Sequence, residues 1–164
     1  MEKSNYEELR EKYKPSKVKV LFVGESRPES GTFFYAENSN LYKYTKEAFE
    51  RFHHESDGNW LEFFKKCGGW LYDVCDVPVN SLSGSERCRQ IELGLPNLLD
   101  TIKELKPKYI IVVKKGEMKK ITFERICKEG YVNEETTFNL PFPACGRQNE
   151  YRDGLSEIIK KLDM

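Results

Sequence analysis

The chain has 164 residues, a length that suits one domain with a full hydrophobic core. Hydrophobic residues make up 38% and charged residues 33%, a balance typical of a folded protein and not of a disordered one. Lys plus Arg and Asp plus Glu both number 27, so the net charge is zero, whereas dedicated nucleic-acid binders are usually more basic. No apolar run approaches the roughly 20 residues of a membrane span, and the charged start lacks the apolar stretch of a signal peptide. We therefore expect one cytoplasmic domain, residues 1–164, with no membrane partner.

The five cysteines are odd in number and scattered, and no two of them form a C-x-x-C pair. This pattern argues against a disulfide framework, a zinc knuckle or an iron–sulfur cluster. We expect reduced thiols and no metal site.

Four segments have the composition of β-strands. The clearest is residues 18–23, a run of mainly β-branched and apolar residues that ends at Gly24. Its near-continuous apolar character is typical of a strand buried on both faces. The other predicted strands are residues 69–74, 109–113 and 136–140.

Apolar residues recur with helical periodicity in the segments before, between and after these strands. Residues 1–14 have a charged helical pattern, and the remaining predicted helices are residues 42–54, 60–66, 86–105, 117–128 and 151–162. Strands that alternate with helices predict an α/β fold. We expect a three-layer α/β/α sandwich around a central, mostly parallel four-stranded sheet.

In an open α/β sheet, ligands bind beyond the carboxyl ends of the strands. The segments that follow the predicted strands are residues 24–40, 73–84, 114–117 and 141–150. Three of these four are unusually polar or rich in Gly and Pro, so we expect the functional residues there. Residues 103–128 also carry nine Lys or Arg against three Asp or Glu. Such a patch can contact phosphates, although Lys-rich helix faces are more often simply solvated.

The loop after the first strand begins with residues 24–28, which read Gly-Glu-Ser-Arg-Pro, and leads to the aromatic trio at 33–35. A Gly/Ser/Pro loop after a buried strand indicates a polar or anionic ligand held by backbone N–H groups. It does not match the phosphate-binding pattern G-x-x-x-x-G-K-[ST], because no Lys-Ser/Thr pair follows Gly31. An ordinary strand-to-helix turn is the alternative, but the trio places flat aromatic faces beside the expected pocket.

The order and spacing of four segments resemble the uracil-DNA glycosylase superfamily. Residues 24–42, with their Gly-Glu start and aromatic-rich continuation, are similar to the first motif of that family. Residues 70–74 and 109–113 resemble its second and third core strands. Residues 140–144 lie where its His-Pro-Ser motif would be, so the resemblance covers residues 17–162.

The resemblance implies a monomeric DNA-repair enzyme that flips a deaminated base out of DNA and hydrolyses its N-glycosidic bond without metal or organic cofactor. Departure of the base leaves positive charge on the sugar and negative charge on the base. A carboxylate can position water and stabilise the sugar cation, and N–H donors stabilise the departing anion. Glu25, the acidic residue of the tight first loop, is therefore the candidate catalytic residue, with Ser26 beside it. A surface carboxylate is the alternative for Glu25.

Tyr35, with Phe34 as its substitute, is the aromatic residue that the resemblance implies would stack on the flipped base. A place in the hydrophobic core is the alternative. Asp73, at a strand end, would contact a base edge or else cap a turn. The other expected substrate-binding residues are Gly24, Arg27, Asn40 and Phe142.

Two basic segments are expected to contact the DNA. One contains Lys114 and Lys115, and the other contains Arg147 and Gln148, in the region that the family uses to wedge into the duplex. An Arg there can fill the hole left by the flipped base or bind a phosphate. Capping of the neighbouring helix is the alternative.

Three positions depart from the family motifs. Ser26 stands where the best-known branch has a catalytic Asp, and Phe142 and Ala144 replace the His and Ser of the second motif. A hydroxyl and a phenyl ring cannot do the work of a carboxylate and an imidazole. Either Glu25 has taken over the positioning of water, or catalysis is weak, or the base chemistry is gone.

Two other functions stay open beside excision of a base. One is a non-catalytic module that binds a base, a nucleotide or nucleic acid in the same pocket, which Ser26 and Phe142 favour. The other is a phosphate- or nucleotide-handling enzyme on a generic doubly wound sheet. The missing Lys and the missing G-x-G-x-x-G pattern weigh against this last function.

Overall fold

The computed structural model describes residues 3–53, 58–130 and 133–162, and it has the predicted α/β fold. In this part of the chain a four-stranded sheet has the order β2-β1-β3-β4, and all three strand pairs are parallel. The strands are β1 (Val20–Gly24), β2 (Gly69–Asp73), β3 (Tyr109–Val113) and β4 (Thr137–Leu140). Every residue of the two central strands, β1 and β3, is buried, which explains their continuous apolar sequences.

The described residues form six α-helices around this sheet. They are α1 (Lys3–Lys12), α2 (Asn40–Glu50), α3 (Trp60–Lys66), α4 (Gly84–Leu105), α5 (Glu124–Glu129) and α6 (Gln148–Ile159). Short 3-10 helices lie at Phe34–Ala36 and Glu134–Thr136, and a π-helical segment, Met118–Phe123, precedes α5. None of the described helices combines the length and the hydrophobicity that crossing a membrane requires.

The strand order assigns the helices to two layers. The chain moves in one direction along the sheet from β1 to β2, and in the opposite direction from β2 to β3 and β4. Since connections between parallel strands are right-handed, the helices of these two paths cover opposite faces. On one side α2 packs on α6, α3 contacts β2, and α6 contacts β4; on the other, α4 and α5 pack on the π-helical segment, which contacts β3. The result is the expected three-layer sandwich.

Several helix boundaries differ from the prediction. The helix expected at 42–54 begins at Asn40, because the hydroxyl of Ser39 accepts a hydrogen bond from the backbone N–H of Tyr42. It ends at Glu50, and residue 54 lies outside the described residues. The helix expected at 151–162 begins three residues earlier, at Gln148.

The segment expected at 117–128 as one α-helix is divided. Its first part is π-helical, and the N–H of Glu124 donates to the carbonyl of Lys119, five residues back. This winding buries Met118 and Thr122, whose hydroxyl donates to the Met118 sulfur at 3.6 Å. The sequence did not predict this division, because the spacing of apolar residues fits a regular α-helix as well as a helix that contains one π-helical turn.

Tyr35 supplies the hydrogen-bond partners of Leu71, in the middle of the edge strand β2. Its hydroxyl accepts from the backbone N–H of Leu71 at 2.6 Å and donates to the Leu71 carbonyl at 2.9 Å. The ring is only 2% exposed and stacks on Tyr13, with 5.8 Å between ring centroids. Burial raises the pKa of the Tyr35 hydroxyl well above its ordinary value. A side chain thus takes the place of a neighbouring strand at this edge.

Tyr35→Phe should lower the free energy of unfolding by about 1–3 kcal/mol, because it leaves the buried N–H and carbonyl of Leu71 without partners. Urea unfolding of both proteins measures the difference. Tyr44→Phe is the control, since the Tyr44 ring lies between Lys43 and Arg152 near the surface. Equal midpoints for wild type and Tyr35→Phe would contradict this role of Tyr35.

Candidate functional site

A pocket of about 190 Å³ opens at the carboxyl edge of the sheet, beyond the ends of β1, β2 and β3. The chain leaves β1 toward one side of the sheet and β3 toward the other, so this point is the topological switch at which open α/β sheets bind ligands. The volume is below the roughly 300–1,000 Å³ of sites for drug-sized molecules. A group of the size of a nucleobase suits it better.

Asp73 enters the pocket by passing close to Gly24. The two residues are partners in the β1–β2 register, and a Cβ at Gly24 would overlap the Oδ1 atom of Asp73. Pairing continues beyond the strands, because the N–H groups of Val74 and Cys75 donate to the carbonyls of Gly24 and Glu25, both at 2.9 Å. The absence of a side chain at Gly24 therefore gives the Asp73 carboxyl its place.

The surroundings of Asp73 favour its neutral form. Desolvation is the main cause that raises its pKa from an ordinary value of 3.8 to about 6. Arg10 and Arg27 act in the opposite direction, and the charge of Glu25 raises the pKa further. Near neutral pH this carboxyl group can therefore change between a donor of one hydrogen bond and a pure acceptor.

Glu25 lies in the pocket wall between two cationic side chains. Its Oε1 accepts a hydrogen bond from Lys114 Nζ at 2.8 Å, and its Oε2 is 4.0 Å from Arg87 Nε. The side chain is 12% exposed, and Oε2 is buried without a hydrogen bond from any described residue. Buried polar atoms rarely stay unpaired, so Oε2 keeps an unused capacity to accept a hydrogen bond, with the charge of Arg87 nearby.

Arg87 is a pocket residue that the sequence did not single out. Ser83 caps the start of α4 by accepting from the N–H of Glu86, and this places Arg87 beside the loop after β2. The guanidinium donates to the carbonyl of Val79 at 2.9 Å and 3.2 Å and to that of Asn80 at 3.0 Å. The sequence indicates a pocket position for Arg87 only through its place early in a helix that follows a predicted pocket loop.

Ser26 connects the first loop to the same neighbouring loop. Its hydroxyl accepts a hydrogen bond from the N–H of Val79 at 3.3 Å. Arg27 lines the pocket as well; its Nη1 donates to the carbonyl of Asp76 at 2.7 Å, and its guanidinium lies over the ring of Tyr6. Both side chains therefore hold the first loop in shape as well as facing the pocket.

Aromatic side chains form two walls of the pocket. Phe34 is 4% exposed and packs edge-on against Trp60 and Phe64, so its position is fixed by the core. Phe142 lies at the pocket and is 38% exposed. Tyr35 does not line the pocket, so the stacking role expected for it is wrong. The buried bonds of its hydroxyl hold its ring in the core, and Phe34, its named substitute, lines the pocket instead.

The backbone of Lys114 has an unusual conformation, with φ of 91°. Its N–H donates to the carbonyl of Leu140 at 2.7 Å, and its own carbonyl accepts from Asn139 Nδ2 at 2.9 Å. Residues other than glycine seldom adopt such a φ, and it persists where the surrounding structure enforces it. β4 thus holds Lys114 in the conformation that directs its ammonium group to Glu25.

The other predicted site residues do not line the pocket. Asn40 is exposed in the first turn of α2, and Gln148 begins α6. Lys115 Nζ donates to the backbone carbonyl of Asn139 at 2.7 Å. Arg147 is exposed and forms two 3.0 Å hydrogen bonds with Glu150. The substrate-binding role expected for Asn40 stays a prediction, because its neighbours Ser39 and Leu41 line the pocket and Asn40 itself does not.

A cationic cluster nevertheless lies beside the pocket. The pKa of Lys115 is lowered by burial and then by the charges of Lys119 and Arg147, and the charge of Glu150 acts in the opposite direction. Such a cluster is the kind of surface that contacts phosphates. The described residues contain no group of three or more His, Cys, Asp or Glu side chains that could hold a metal ion.

No protein-family model matches the sequence, and no curated protein matches it either. The resemblance to the uracil-DNA glycosylase superfamily stays a prediction, and the function has to be inferred from the site.

Asp73→Asn should stabilise the protein by about 1–3 kcal/mol above pH 6, because burial of the ionised carboxylate is then no longer required. The folded state holds the Asp73 proton to a higher pH than the unfolded chain does. The stability linked to this proton is therefore present below about pH 4 and is lost as the pH rises through about 6. Urea unfolding of both proteins from pH 4 to pH 8 measures the difference, and a pH-independent gap would contradict the raised pKa.

Gly24→Ala should destabilise the protein by about 1–3 kcal/mol, because the added Cβ collides with the Asp73 carboxyl group. In an Asp73→Ala background the collision is absent, and the same substitution should cost less than about 0.5 kcal/mol. A double-mutant cycle by chemical denaturation measures the coupling. Additive effects would show that the close contact does not matter.

Proposed function

We propose that this protein is a DNA glycosylase of the uracil-DNA glycosylase type, which excises a deaminated base by hydrolysis. The observation that carries the proposal is the content of one base-sized pocket. It combines the carboxylate of Glu25, whose Oε2 has no hydrogen bond from a described residue, with an aromatic wall at Phe34 and the carboxyl of Asp73. Its place at the switch point of the sheet is where a ligand is expected.

Recognition of the base follows from Phe34 and Asp73. An extruded base lies between aromatic or apolar side chains, and Phe34 lines the pocket, with Phe142 at the more exposed end. Below about pH 6 the Asp73 carboxyl is mostly neutral and presents one donor and one acceptor. That pair matches the adjacent N–H and C=O groups that uracil, hypoxanthine and xanthine share.

Hydrolysis follows from Glu25. Its carboxylate, which lines the pocket and is 12% exposed, can accept a hydrogen bond from water, orient that water toward the sugar carbon and take up a proton as the new C–O bond forms. The carboxylate charge also stabilises the positive charge that develops on the sugar. Arg27 and Lys114 line the same pocket and supply positive charge for the departing base anion. With these roles for Glu25, Arg27 and Lys114, hydrolysis does not require the imidazole whose place Phe142 takes.

A non-catalytic binding module is the second candidate. Glu25 is already held by Lys114, with Arg87 nearby, and the hydroxyl of Ser26 is already bonded to Val79. A carboxylate held in this way can serve as a fixed acceptor for a base and leave the glycosidic bond intact. Excision and binding are separable by experiment.

Glu25→Gln should reduce base excision roughly 100-fold or more, since the amide cannot accept the proton of the attacking water. The assay incubates single- and double-stranded oligonucleotides that contain uracil, hypoxanthine or xanthine, and alkali then cleaves the abasic sites. Glu62→Gln, an exposed position on α3, is the matched control and should keep full activity.

Three other results would change the assignment. Binding without excision, weakened by about 1–3 kcal/mol in Phe142→Ala and by added salt, would favour the binding module. Affinity for free nucleotides with none for DNA would favour a nucleotide-handling enzyme. Full excision activity in Glu25→Gln would remove Glu25 from the mechanism.

A further inference from the structure

We propose that Lys114 is a nucleophile that forms an imine with the aldehyde of an abasic sugar, and that the pocket therefore carries an abasic-site lyase activity. The inference rests on the proposed function in one respect, since it requires that the pocket admit a sugar of DNA. Excision of a base produces an abasic sugar, whose ring-opened form is an aldehyde. Lysine amines are the protein groups that form imines with carbonyl substrates.

The position of the amine is the first support. Lys114 lines the pocket and its side chain is 31% exposed, so a substrate can reach Nζ. The nitrogen is 2.8 Å from Glu25 Oε1. An ammonium group has no lone pair to attack with, and a carboxylate at hydrogen-bond distance is the acceptor its proton needs. Nucleophile and base are thus already in contact.

The backbone of Lys114 is the second support. Its φ of 91° is held by the hydrogen bonds to Leu140 and Asn139 described above. The adjacent Lys115 bonds to a backbone carbonyl and does not line the pocket. Of two consecutive lysines, only the one with the strained backbone enters the pocket. Strain of this kind persists where the surrounding structure enforces it, and it fixes a reactive group before the substrate arrives.

The reaction needs no oxidant, metal or second substrate. Nζ transfers a proton to Glu25, and its lone pair then attacks the C1′ carbonyl carbon of the aldehyde. The carbinolamine loses its hydroxyl group, which leaves as water with the proton returned by Glu25, and an iminium ion remains. The carboxylate removes a proton from C2′, the electron pair forms the C2′–C3′ double bond, and the C3′–O bond breaks. A phosphate-terminated strand departs, and Glu25 releases the C2′ proton to its phosphate or to water. Water then hydrolyses the iminium to an unsaturated aldehyde and free Lys114.

Borohydride trapping tests the proposal. The full chain is incubated with an oligonucleotide that carries one abasic site prepared beforehand, in single- and double-stranded form, and sodium borohydride reduces any iminium to a stable amine. A covalent protein–DNA product is expected, and mass spectrometry should place it on Lys114.

Lys114→Arg is the decisive variant, because a guanidinium keeps the charge beside Glu25 but does not act as an amine nucleophile. It should trap at least about tenfold less product than wild type. Lys103→Arg is the matched control on an exposed position near the C-terminal end of α4, and it should trap as wild type does. Should Lys114→Arg fail to fold, the site found by mass spectrometry in wild type decides.

The outcomes separate this proposal from the proposed function. No product, a product on another residue, or undiminished trapping by folded Lys114→Arg would overturn the lyase activity. Base excision without trapping would overturn the lyase and leave the glycosylase standing. Trapping on Lys114 without excision of any base would support the lyase and speak against the glycosylase.

Discussion

The close approach of Gly24 and Asp73 is the contact on which the site depends. It occurs because β1 and β2 are parallel and in register to their last residues, and because the backbone pairing continues into the following loops. This pairing fixes the direction in which the chain leaves β1. Glu25 is consequently directed toward the end of β3, where Lys114 meets it. The absence of a side chain at Gly24 therefore allows the groups of one pocket to come together: the carboxyl groups of Glu25 and Asp73 and the ammonium group of Lys114.

The fold could be predicted from the sequence because burial leaves a strong periodic signal. β1 and β3 are buried along their whole length, and their continuous apolar runs are what such strands require. The alternation with helices then restricted the topology to a parallel sheet. The π-helical segment and the early start of α6 were not predictable, because both depend on hydrogen bonds that leave the apolar pattern unchanged.

The site could be predicted in part, since the rule that ligands bind at strand ends identifies loops but not side-chain directions. Glu25, Asp73 and Lys114 directly end or follow strands, and the structure brings all three into one pocket. Tyr35 follows its strand by eleven residues, and the intervening loop turns it into the core. Arg87 reaches the pocket from a helix start, and nothing in the local sequence distinguishes it from a solvated helix residue.

The hydroxyl of Tyr35 has a consequence for how copies of this protein meet one another. An open sheet margin is a template onto which a strand from another molecule can add, and this is a common origin of domain swapping and fibril growth. At Leu71, in the middle of β2, both backbone groups that such an incoming strand would need are already occupied. A strand from a second molecule could pair with β2 at this point only after displacing the buried Tyr35 side chain. One side chain therefore protects this edge of the sheet against polymerisation.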